Sequence, residues 1–104
     1  MACTYAFVKR ENEGRYELKH FQGAQRDDKQ HIENHEIKSL VPGATTIFQI
    51  TYHSNYKGLI QMPEIDRALL ALNKGAISLS DIEEQFKEGA DYVTLSSSPA
   101  SVTN

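Results

Sequence analysis

Four histidines, a single cysteine and a tyrosine set among apolar residues are the groups in this 104-residue chain with the chemistry for a site. His31-Ile32-Glu33-Asn34-His35 places two imidazoles at i and i+4, the spacing found on metal-binding helices. With His20 and His53 a zinc site of three or four ligands is conceivable, since neutral imidazole is a good ligand. The glutamate does not occupy the His-Glu-x-x-His position, so the zinc-peptidase pattern is not met. One cysteine also offers no sulfur cluster. His31 and His35 are therefore the metal candidates, but surface histidines on an edge strand are the simpler account, and no metal or other cofactor is expected.

Tyr5 and His20 form the second candidate pair, with Cys3 beside them. Ala2–Arg10 and Arg15–Gln22 both alternate in polarity and are separated by Glu11-Asn12-Glu13-Gly14, a hairpin with a four-residue loop. Closing that loop between Arg10 and Arg15 sets Lys9 against Tyr16, Phe7 against Leu18, Tyr5 against His20 and Cys3 against Gln22. One face then carries Cys3, Tyr5, Phe7, Tyr16, Leu18 and His20. The other carries Thr4, Arg15, Glu17 and Lys19, the pattern of a solvated face. An acid–base group on the apolar face would have its pKa displaced by burial. Cys3 could act there as a nucleophile. The plainer alternative is that tyrosine and histidine bury their rings at the sheet margin, and that Cys3 is a small buried thiol. Gly-x-Ser-x-Gly, phosphate-loop and dinucleotide fingerprints are all missing from the chain.

Further along the chain, Thr45–Ser54 alternates as a strand, with Thr46, Phe48, Ile50 and Tyr52 on one side and Thr45, Gln49, Thr51 and His53 on the other. Between the hairpin and this strand, Gly23–Gln30 is a polar loop. His31–Leu40 fits a charged edge strand better than a helix, because Ile32, Ile37 and Leu40 make no single helical stripe. Val41-Pro42-Gly43 would connect it to Thr45. Asn55–Gly58 predicts a turn, Leu59–Met62 a short strand, and Tyr92–Leu95 a last strand.

Two helices are predicted within Pro63–Gly89. Pro63 suits a first helical turn, Glu64 and Asp66 suit the positive end of the helix dipole, and Ile65, Ala68, Leu69 and Leu72 make one apolar face. Lys74 and Gly75 supply a stop. Ser78 with Asp81 is a cap signature, Ile77 and Ile82 form a hydrophobic staple, Ile82 and Phe86 share a face, and Gly89 ends the second helix. The expected order is ββββ(β)ααβ: an α+β protein in which two consecutive helices pack on one face of an antiparallel sheet of four to six strands. Residues 1–95 form one domain in this reading, and the Ser-rich segment 96–104 a flexible tail.

Bulk properties narrow the function. Apolar content of 39% and charged content of 24% predict a folded domain. A net charge of −3 and a pI near 5.7 give no field favouring phosphate backbones. Leu69–Glu83 has the cadence of the first two helices of a winged-helix domain, but its second helix is acidic and a strand signal follows where a basic recognition helix should stand. Nucleic acid is thus not an expected partner. Neither a secretory signal nor a spanning segment is apparent, and a single cysteine fits a reducing compartment, so a cytoplasmic protein without membrane contact is expected.

These features point to a small, non-enzymatic interaction or regulatory protein that forms a homodimer or docks on a larger, possibly basic, partner. Asp81, Glu83, Glu84 and Glu88 on the second helix, and Tyr56 within a cluster of Tyr52, Leu59, Ile60 and Met62, are the candidate contact residues. The alternative is a small enzyme or ligand-binding protein with its site at the sheet–helix interface, using His20 and Tyr5.

Overall fold

A computed structural model describes residues 2–24, 32–53 and 62–97. The elements are β1 (Ala2–Arg10), β2 (Tyr16–Ala24), α1 (Asn34–Leu40), β3 (Ala44–His53), α2 (Met62–Asn73), α3 (Leu79–Phe86) and β4 (Ala90–Ser97). The four strands form an antiparallel sheet in the order β2-β1-β3-β4. The fold is α+β.

The hairpin has the register expected from its alternation: Lys9 pairs with Tyr16, Phe7 with Leu18, Tyr5 with His20 and Cys3 with Gln22. β1 is then covered on its other side by β3, pairing Phe7 with Phe48 and Tyr5 with Ile50. Across the whole sheet these pairings make rows on one face, among them Leu18–Phe7–Phe48–Leu95 and His20–Tyr5–Ile50–Val93. α2 and α3 pack over this face. Ile65, Ala68 and Leu72 of α2 and Ile82 and Phe86 of α3 share one core with Cys3, Tyr5, Phe7, Phe48, Ile50 and Tyr52.

Both helices end and begin as their residues require. Gly75 adopts φ 77°, and the bonds Ala76 N–H to Ala71 C=O (2.9 Å) and Gly75 N–H to Leu72 C=O (3.1 Å) close a Schellman motif after α2. At the start of α3 the Asp81 amide donates to the Ser78 hydroxyl (3.2 Å), and the Ser78 amide donates to the Asp81 carboxylate (2.9 Å), a reciprocal capping box.

The segment His31–Leu40, expected as an edge strand, is corrected by α1. Its buried stripe is Ile37 and Val41, one helical turn apart, preceded by Ile32, whereas Leu40 points outward with 58% of its surface exposed. The stripe runs through Val41, expected in the connection to Thr45, and leaves out Leu40, so Ile32, Ile37 and Leu40 do not reveal it. The Glu36 carboxylate accepts from the Glu33 amide (3.3 Å), which supports the helix start.

α1 also corrects the expected solvated face. Ile32, Ile37 and Val41 cover the side of the sheet opposite α2 and α3, joining Ala6, Val8, Ala44 and Ile47 in a second core. β1 and β3 are central strands buried on both faces, so Thr4, Gln49 and Thr51 are buried as well. Charges on this side are kept by the edge strand β2, at Glu17 and Lys19, and by Arg10 at the end of β1, which ion-pairs with Glu17. β4 begins two residues before the expected Tyr92 and runs two beyond Leu95, pairing Ser96 with Ile47 and Ser97 with Thr46. The expected turn at Asn55–Gly58 lies outside the described residues, as does most of Leu59–Met62, whose last residue instead opens α2. Most of the polar loop Gly23–Gln30 and the tail beyond Ser97 also lie outside them, and β2 runs on through Gly23 and Ala24. Among the described residues no helix is long and apolar enough to cross a membrane.

Candidate functional site

Tyr5 and His20 are brought together by the hairpin register, and their rings stack with centroids 4.7 Å apart and planes 11° apart. The Cys3 Sγ lies 3.1 Å from His20 Nε2. On the inner side Tyr52 meets Tyr5 edge-on at 6.3 Å, and the Tyr52 hydroxyl donates to the backbone carbonyl of Phe86 at the end of α3. The cluster therefore runs from an exposed imidazole through a 2%-exposed phenol into the core.

That burial gradient sets its chemistry. Desolvation pushes the Tyr5 phenol well above its ordinary range, and its hydrogen bond to Cys3 adds to the effect. Desolvation likewise pushes the Cys3 thiol up, against a smaller opposing contribution from the Tyr5 hydrogen bond. Both groups hold their protons at neutral pH. A thiol so placed is a poor nucleophile, because the thiolate is the reactive form. The geometry matches aromatic packing at a sheet margin.

The other candidate residues are dispersed. His35 lies exposed on α1, on the opposite side of the sheet from His20, so the four-histidine site is not assembled from them. His31 and Tyr56 lie outside the described residues. Asp81, Glu83, Glu84 and Glu88 are all exposed along α3 and its exit. Asp81 is engaged in the α3 cap, and Glu84 accepts from Lys87 Nζ at 3.2 Å. A shallow groove of about 210 Å³ between α2 and α3 is lined by Glu64, Arg67, Ala68, Ala71, Ile77 and Gln85. It falls short of the roughly 300–1,000 Å³ of ordinary ligand pockets.

Three arrangements carry no local sequence signal. Asn73, the last residue of α2, grips β2 from its outer edge: its Oδ1 accepts from the Tyr16 amide (2.6 Å) and its Nδ2 donates to the Tyr16 carbonyl (3.0 Å). Gln49 is fully buried and its Nε2 donates to the Ile32 carbonyl and to Asn34 Oδ1, both at 2.9 Å, tying the start of α1 to β3. The third is the outer edge of β4, which pairs with β3 on one side only among the described residues. From Tyr92 to Ser97 that strand has neither charge nor proline, and its Leu95 is 55% exposed.

Comparison of the chain with protein-family models, with curated proteins and with solved structures finds no significant match to any of them.

Proposed function

We propose that this is a non-enzymatic interaction protein of regulatory type, acting by self-association or by docking on a larger partner. The observation that carries the reading is the contrast between the two sheet edges. β2 is guarded by the Asn73 clamp and by Glu17 and Lys19, the devices that keep strand edges from pairing. Among the described residues β4 has no such clamp, and its only charge is Asp91 near the start of the strand, with none from Tyr92 to Ser97. An unguarded edge offers backbone donors and acceptors to a further strand, the mode of β-augmentation. A cytoplasmic setting fits the single free thiol. Light scattering coupled to size-exclusion chromatography, with a pull-down from host extract, tests the proposal. A strict monomer that captures no protein would overturn it.

The exposed carboxylates of α3 favour a basic partner where the partner is a different protein. Reversing Glu84 and Glu88 to Lys should shift stability by no more than about 0.5 kcal/mol while weakening capture of such a partner, and added salt should weaken it too. Capture indifferent to both changes would rule out the acidic face.

The stacked Tyr5–His20 pair supports the second reading, a small ligand site at the sheet–helix margin. NMR titration of His20 with and without small-molecule libraries tests it. His20 resonances that no ligand shifts count against it.

A further inference from the structure

The edge of β4 that no strand among the described residues pairs is suited to one occupant in particular. We infer that β4 pairs antiparallel with β4 of a second copy about a two-fold axis perpendicular to the sheet at Thr94, joining the two four-stranded sheets into one. This rests on the interaction reading above and names its surface and partner.

The argument begins with self-complementarity. A two-fold interface places the same patch on both sides, so any charge on an edge strand near the axis risks meeting its own copy. Tyr92–Ser97 reads Tyr-Val-Thr-Leu-Ser-Ser, with nothing to repel. The irregularity between β3 and β4 falls at the Ala90 end, leaving Thr51–Tyr92 through Thr46–Ser97 in regular pairing, so the strand is straight where a partner would add.

The side chains favour the Thr94 centre. An axis there opposes Val93 of one copy to Leu95 of the other, twice. Both lie on the face of the sheet that carries α2 and α3, as their pairing with Ile50 and Phe48 requires. Val93 already packs against the core, and Leu95 continues the apolar row Leu18–Phe7–Phe48 but ends it in solvent. The partner's Val93 would cover that end. Aliphatic pairs on one sheet face are the natural unit of strand–strand stabilisation. On the other face Thr94 meets its own copy, and Tyr92 meets Ser96. A heterologous partner strand would need no such agreement between residues two positions apart.

The test uses the full chain. Light scattering at increasing concentration should show wild type approaching twice the monomer mass. Leu95→Lys, and the milder Leu95→Ser, should remain monomeric at the same concentration with unchanged circular dichroism. Thr94→Cys should oxidise to a disulfide-linked dimer, since opposed residues of an antiparallel ladder have Cα atoms roughly 4.5–5.5 Å apart, within disulfide reach. Glu17→Cys on the guarded edge, and wild type with its buried Cys3, should not. A dimer that survives both Leu95 variants, with Thr94→Cys uncrosslinked, overturns the β4 interface but leaves self-association by another surface standing. Loss of the dimer in the Leu95 variants without crosslinking at Thr94 overturns the stated register. Wild type monomeric at every concentration overturns the inference outright, and a strand captured from another protein would then be the occupant of β4, with the interaction reading intact.

Discussion

Tyr5 shows how one residue's surroundings decide what it can do. A phenol at a solvent-facing strand position would titrate near its ordinary value, but this one is stacked on His20, edge-on to Tyr52 and hydrogen-bonded to Cys3. The folded state holds the protons of Tyr5 and Cys3 above the ordinary values of 10.0 and 9.0. The unfolded chain releases them at those values. Their contribution to stability is therefore complete below about pH 9 and is lost progressively as pH rises from there through the raised folded-state values. Denaturant titrations at pH 8 and pH 10.5 should show a drop in stability for wild type, and Tyr5→Phe should have a shallower one. Equal slopes would mean that Tyr5 is not protected by burial. The same burial predicts that Cys3 reacts slowly with a thiol reagent in the native protein and rapidly in denaturant.

At the scale of elements, α1 is the instructive one. It has seven residues, too few to be stable alone, so packing and tethering must hold it. Ile37 and Val41 supply the packing, and Gln49 supplies the tether through its bonds to Ile32 and Asn34. Gln49→Leu would leave the buried Ile32 carbonyl without its donor, at a cost of about 1–3 kcal/mol. It would also remove the one buried side-chain acceptor, Gln49 Oε1, that has no partner among the described residues, which offsets part of that cost. Hydrogen exchange should report the loss first in α1, ahead of α2 and α3. Uniform loss of protection would show that α1 is not a separate unit. α3 is held differently, by its own cap: Ser78→Ala should cost about 1 kcal/mol, read by thermal or chemical melts.

For the molecule as a whole the asymmetry of the two edges matters most. The β2 edge is gripped at Tyr16 by a residue 57 positions away, and the β4 edge pairs with no further strand among the described residues. Asn73→Ala frees both Tyr16 backbone groups. A loss of about 1 kcal/mol is expected from the two lost bonds. A second consequence is specific to edge protection: with both edges open, association should no longer stop at a pair, and light scattering should detect species larger than a dimer. A variant that is destabilised but keeps the wild-type mass distribution would make the clamp purely structural.

Local features of this chain were readable from local sequence. The hairpin register followed from alternation on either side of a four-residue loop, so the meeting of Tyr5 with His20 was determined before any tertiary contact. The two helices in Pro63–Gly89 followed from their caps, stops and i, i+3, i+4 stripes, because those signals are carried within a dozen residues. The α+β class followed from the same elements. The tertiary structure decided the rest. A seven-residue helix with two buried apolar positions differs too little from a charged strand for periodicity to separate them, and burial against the sheet made the choice. With α1 in place, the face expected to be wet became a second core, and Thr4, Gln49 and Thr51 became buried. Which strands lie at the edges, and which edge is guarded, depends on pairings between residues far apart in the chain. No local pattern encodes those pairings, because the free energy that selects them comes from covering both faces of the sheet at once.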